Sequence, residues 1–124
     1  MTGHLTDGVL VVEDDTDVRE ILVEILEEHG YHATPAANGL EALQRLRDEG
    51  MRPRLILLDL MMPIMDGRTF RREQRRDPAL ADIPVVVLSA YLDVHGLVED
   101  MAVQRFLEKP VDLDQLLRVV EEQC

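Results

Sequence analysis

The sequence predicts an α/β protein: a doubly wound, five-stranded parallel sheet with five helices. Three observations lead there. Short β-branched runs alternate with stretches of helical periodicity along the chain, and five such pairs can be counted. The length, 124 residues, suits one domain with one core. Nothing in the chain reads as a linker, a repeat or a low-complexity segment.

The elements follow in order. VLVV, from Val9 to Val12, is a buried strand, and Val18, Ile21, Leu22, Ile25 and Leu26 then recur at helical spacing until Gly30 stops the helix. YHATPAA supplies the second strand, and Pro35 within it has no N–H to donate, which sends the strand to a sheet edge. Asn38 caps a helix carrying Leu40, Leu43 and Leu46. RLILLDL, residues 54–60, is strand three. Asp66 and Gly67 open a third helix that is unusually polar, with Phe70 its one obvious large apolar anchor. IPVVVLS, residues 83–89, is strand four, and Val94, Leu97, Val98 and Met101 mark one face of a short fourth helix. Arg105 to Glu108 forms a brief fifth strand, after which Asp112 caps a last helix carrying Leu113, Leu116, Leu117 and Val120. Right-handed crossovers leave few topologies, and the flavodoxin-like order 2-1-3-4-5 also places the proline-bearing strand at an edge.

Composition narrows the setting. With no Trp, two Phe and two Tyr, the core must be aliphatic. A net charge of -12 repels phosphate backbones and anionic headgroups, so direct nucleic-acid and membrane contacts are not expected. The arginines at 68, 71, 72, 75 and 76 are expected to form a solvated helix face, with docking of an acidic partner as the lesser alternative. Cys124 is the lone cysteine, which excludes a disulfide framework and points to a reducing, cytoplasmic setting. No secretory leader is visible, and no apolar run approaches the ~18 residues of a membrane span. Residues 1–7 are expected to be a disordered tail on a single domain, and His4, His29, His32 and His95 to lie at the surface.

Asp59 is the residue that asks for explanation, because a carboxylate at the end of a buried run is costly unless it is paired or coordinated. In the order 2-1-3-4-5, strands one and three are neighbours, and their carboxyl ends part to make a ligand crevice. Glu13 and Asp14 end the first strand and Asp59 the third, so three carboxylates converge. Two such charges at 4 Å repel by about 4 kcal/mol at an effective dielectric of ~20. An all-oxygen cluster of this kind suits a hard divalent cation, and Mg²⁺ fits an open site that keeps waters and accepts phosphate oxygens. Met61, Met62 and Met65 have no His or Cys beside them and are expected to pack a loop, not to bind copper.

Four motifs in this order, VVEDD, LLDLMMPIMDG, VVVLSA and FLEKP, resemble those of the receiver domain of two-component response regulators, of the chemotaxis-regulator kind, from about Val9 to Glu122. The resemblance implies that Asp59 is the phosphoacceptor, Asp14 a direct Mg²⁺ ligand, Glu13 a largely water-mediated one, and Met61 a ligand through its backbone carbonyl. Phosphoryl transfer also needs donors for developing charge. Lys109, the only lysine among 13 basic residues, suits a point-charge contact to phosphate, while the Ser89 hydroxyl and the Ala90 N–H add donors. Phe106 stands where the family carries its switch aromatic, so Ser89 and Phe106 are the expected switch pair. Met61 and Tyr91 are expected to flank the approach of water, giving slow loss of phosphate.

The function expected is a phosphorylation-activated signalling switch, loaded by a histidine kinase or a phosphotransfer protein. Output would pass to a downstream protein partner or to an effector domain missing from this chain. No enzymatic activity is expected beyond autodephosphorylation. A phosphorylation-independent interaction module of the same fold is the alternative, opposed by the complete set Asp14, Asp59, Ser89 and Lys109. An aspartyl phosphatase is weakened because Met61 stands where a general acid would be needed. Against the family pattern that the chain resembles, the segment between Ser89 and Lys109 is slightly short and AVQR replaces the small pair usual before strand five, so a truncated or mobile fourth helix is expected.

Overall fold

Side chains two apart along each central strand point to the same face, and this divides the interior into two layers. A computed structural model describes residues 8–90, 103 and 105–123. Its elements are β1 (Val9–Val12), α1 (Thr16–Glu28), β2 (Ala33–Ala36), α2 (Gly39–Arg47), β3 (Leu55–Asp59), α3 (Gly67–Arg76), β4 (Val85–Ser89), β5 (Arg105–Glu108) and α4 (Leu113–Gln123). All neighbouring strands are parallel and lie in the order β2-β1-β3-β4-β5. Leu10, Val12, Ile56, Leu58 and Val87 meet Leu43, Leu46 and Phe70 of α2 and α3 on one face. Val9, Val11, Leu57, Val86 and Leu88 meet Leu22 and Leu26 of α1 and Leu116 and Val120 of α4 on the other. Both faces are covered, which is why β1, β3 and β4 read as unbroken apolar runs.

Local signals in the sequence set the boundaries. Asp15, Asn38 and Asp66 cap α1, α2 and α3 by accepting the N–H of Val18, Glu41 and Thr69, and Asp112 accepts that of Gln115 ahead of α4. Pro35 lies in the edge strand β2, as its missing donor requires. Its carbonyl, turned away from β1, accepts the Arg45 Nε at 2.7 Å. The outward edge at this position therefore offers neither a donor nor a vacant acceptor. His29 and His32 are exposed as expected. The expected tail at residues 1–7, the fourth helix on Val94, Leu97, Val98 and Met101, and Tyr91, His4, His95 and Cys124 lie outside the described residues. Four helices are seen among the described residues.

Helix α3 corrects the expectation of a solvated arginine face. Arg72, Arg75 and Arg76 are exposed, but Arg71 is only 5% exposed and Gln74 is fully buried. Gly67, Phe70, Arg71 and Gln74 form the inward face at helical spacing. The Gln74 Nε2 donates to the carbonyls of Leu80 at 2.9 Å and Ile83 at 3.0 Å, and its Oε1 accepts the Arg71 Nη1 at 2.7 Å. A polar side chain here does the work of an apolar anchor by satisfying the turn that leads into β4. Gln74→Leu is expected to lower stability by about 3 kcal/mol, because two carbonyls and a guanidinium lose a buried partner. Urea unfolding measures this; a loss below about 1 kcal/mol would show that water replaces the amide.

Candidate functional site

The site forms where β1 and β3 end side by side and the chain turns off the sheet. Asp59, the last residue of β3, is 4% exposed, and Glu13, the first residue after β1, is fully buried. Asp14 follows and is exposed. Oxygens of Glu13, Asp14 and Asp59 all lie within 4.8 Å of one another. Ser89 is buried at the end of β4, one residue beyond Leu88, the register partner of Asp59. The Lys109 backbone N–H donates to the Ser89 carbonyl at 2.7 Å, which ties the end of β5 to the end of β4.

The electrostatics are unbalanced. Lys109 Nζ lies 2.6 Å from Glu13 Oε1 and 3.5 Å from Asp59 Oδ2, so one ammonium serves two buried carboxylates. Glu13 Oε1 has no hydrogen-bond partner of good alignment and depends on this ion pair, while Oε2 accepts the Asp15 N–H at 3.2 Å. Asp59 Oδ1 accepts a long bond from the Met61 N–H, at 3.3 Å. Burial, and then the Glu13 charge, push the Asp59 carboxyl up from 3.8 to about 7, against the smaller opposing pull of Lys109. Burial lowers the Lys109 ammonium, but the Glu13 hydrogen bond and the two carboxylate charges outweigh it and leave the group above its ordinary value.

These groups fit a divalent cation. The donors are all oxygens, the cluster holds more negative charge than Lys109 offsets, and Asp14 gives it an open side. Mg²⁺ would be held by Glu13, Asp14 and Asp59, the acidic residues singled out in the sequence.

The remaining expected residues are placed as follows. Phe106, on β5, is half-buried and packs with Val103 against the core layer of α2 and α3. Its register partner is Val87, two residues before Ser89 on the same face of β4. Ala90 is exposed, and Met61 is 62% exposed on the loop after β3. Sequence reasoning missed Arg19, whose guanidinium reaches back to the β1 corner, and the packing role of Gly67. A Cβ on Gly67 would lie 2.7 Å from the Asp59 carbonyl oxygen and 2.9 Å from the Leu60 Cα, so only glycine lets α3 start this close to the end of β3. The MDG stretch carried that signal without revealing which backbone approaches.

A doubly wound sheet with a buried aspartate, two acidic neighbours, a hydroxyl and an ammonium at its carboxyl edge is an α/β fold with an aspartate-centred site at its switch point. The response regulator receiver domain matches residues 9–121, and the chain belongs to that family. It is 36% identical over 118 residues to the response regulator receiver protein CpdR of Brucella abortus, covering 92% of this chain and 93% of that one. It is 34% identical over 111 residues to the DNA-binding dual master transcriptional regulator RpaA of Synechocystis sp., covering 88% of this chain but spanning only 45% of that protein. Among solved structures, the Thermotoga maritima response regulator TrrA in complex with Mg²⁺-BeF superposes with a TM-score of 0.83 at 30% identity, covering 95% of this chain and 99% of that one.

Proposed function

We propose that the chain is a phosphorylation-activated switch in which Asp59 accepts a phosphoryl group from the phosphohistidine of a kinase or phosphotransfer protein. The observation that carries this reading is the shared cation: Asp59 has no ammonium of its own, and Lys109 stands 3.5 Å away, within reach of whatever oxygens Asp59 acquires. In the transfer, an Asp59 carboxylate oxygen forms a bond to phosphorus while the bond from phosphorus to the donor imidazole nitrogen breaks, and the imidazole keeps the electron pair. Lys109 neutralises charge on the phosphoryl oxygens, and the Ser89 hydroxyl and Ala90 N–H donate to them. Asp14, Asp59 and the Met61 carbonyl, with Glu13 largely through water, would hold Mg²⁺, which would supply further positive charge to those oxygens.

The shared face of Ser89 and Phe106 supports the switch reading. Ser89 drawn toward the phosphoryl group vacates space on the side of β4 that Phe106 shares. Phe106 has no hydroxyl, so packing alone holds its inward state. Met61, exposed on the loop after β3, is the described residue read as flanking the approach of water to Asp59. The Mg²⁺-BeF complex of TrrA supports the metal and phosphoryl assignment by similarity.

The test is incubation with acetyl phosphate and Mg²⁺, read by intact mass. The expected result is a gain of one phosphoryl group in the wild type and none in Asp59→Asn. An unmodified wild type would leave the phosphorylation-independent module as the better reading.

A further inference from the structure

Arg19 is the fourth residue of α1, yet its side chain folds back toward the strand that precedes the helix. Its Nη1 donates to the Glu13 carbonyl at 2.8 Å and lies 3.4 Å from that of Asp14, and its Nη2 is 3.5 Å from the Thr16 hydroxyl. The rest of the corner is pinned from other sides. The Glu13 N–H donates to the Ala36 carbonyl at 3.0 Å, the Glu13 carboxylate faces Lys109 and the Asp15 N–H, and the Asp15 side chain caps α1. Arg19 thus supplies the contact that holds the main-chain carbonyls of the two residues between β1 and α1 whose carboxylates face the crevice.

We propose that Arg19 is a positioning residue that fixes the Glu13–Asp14 backbone and thereby sets the affinity of the site for Mg²⁺. This rests on the reading of Glu13, Asp14 and Asp59 as metal ligands. The guanidinium touches backbone oxygens and none of the ligating carboxylates, so its influence passes through the direction in which the turn projects them. Asp14 is the most sensitive, since its side chain is exposed. Charge and position here act in opposite directions. A guanidinium near the corner repels a cation, so if charge alone mattered its removal would tighten Mg²⁺ binding. If position governs, its removal weakens binding.

Calorimetric titration of Mg²⁺ into the wild type, Arg19→Ala and Arg19→Lys separates the two. Arg19→Ala is expected to bind roughly tenfold more weakly, the size typical for loss of a group that orients ligands. Arg19→Lys keeps the charge but loses the planar fork, so it too is expected to bind more weakly than the wild type. With acetyl phosphate as donor, both variants should need more Mg²⁺ for half-maximal phosphorylation while reaching the wild-type rate at saturation. Equal or tighter Mg²⁺ binding by Arg19→Ala, with an unchanged thermal midpoint in the absence of metal, overturns the role of Arg19. If Arg19→Ala does not fold, wild-type affinity in Arg19→Lys overturns it instead. Absence of Mg²⁺ binding by the wild type is a separate result, which removes the metal assignment and this inference with it.

Discussion

Asp59→Asn should make the metal-free protein more stable at pH 8, by about 2 kcal/mol, while abolishing phosphoryl acceptance. The gain comes from removing one of two buried carboxylates that compete for Lys109. Its pH dependence has a definite sign. The Asp59 carboxyl is raised from 3.8 to about 7, so between those values the folded protein holds a proton that the unfolded chain does not. Acidification from pH 8 through 7 toward 4 therefore stabilises the wild type relative to Asp59→Asn. The advantage of the variant should be full above pH 7, shrink as the pH falls and vanish near pH 4. Saturating Mg²⁺ at pH 8 should also narrow it, because binding to the folded state alone stabilises that state. Urea unfolding at pH 8, 6 and 4.5 tests this; a variant no more stable than the wild type at pH 8 would contradict the unbalanced cluster.

Lys109→Met should shift stability the other way. Without the ammonium, the fully buried Glu13 and the nearly buried Asp59 face each other with no cation, and breaking a buried pair costs about 3 kcal/mol. The Lys109 ammonium is raised above 10.5 in the folded protein, so its contribution is complete below that pH and declines only as the pH rises through the folded value. The Lys109 contribution is therefore level between pH 8 and 10, while the Asp59 carboxyl, no longer drawn down by Lys109, is raised further in Lys109→Met, so the difference between the two proteins should not shrink as the pH rises from 8 to 10. Mg²⁺ should recover much of the loss by replacing the missing charge. Loss of stability that Mg²⁺ cannot touch would mean that Lys109 acts by packing.

Much of this cluster could be read in the chain. The strand runs, the caps Asn38, Asp66 and Asp112 and the edge position of Pro35 are local signals, each with a cause inside a few residues, and each appears where expected. Asp59 was conspicuous because an apolar run gives no local reason for a carboxylate. Gln74 and Arg71 were not legible, since hydropathy counts both as solvent-seeking and their worth lies in carbonyls six and nine residues ahead of Gln74, at Leu80 and Ile83. Arg19 escaped for a related reason. On a helix it scores as one more surface charge, and only the folded corner shows that it bonds to backbone oxygens.

The closure of the sheet at Pro35 by its own ring and by Arg45 bears on how copies of this molecule can combine. Polymers that grow by adding strand to strand need two open rims per copy, one to give and one to receive. With Pro35 giving the β2 rim no donor and its carbonyl held by Arg45, growth through that rim lacks a rung at this position.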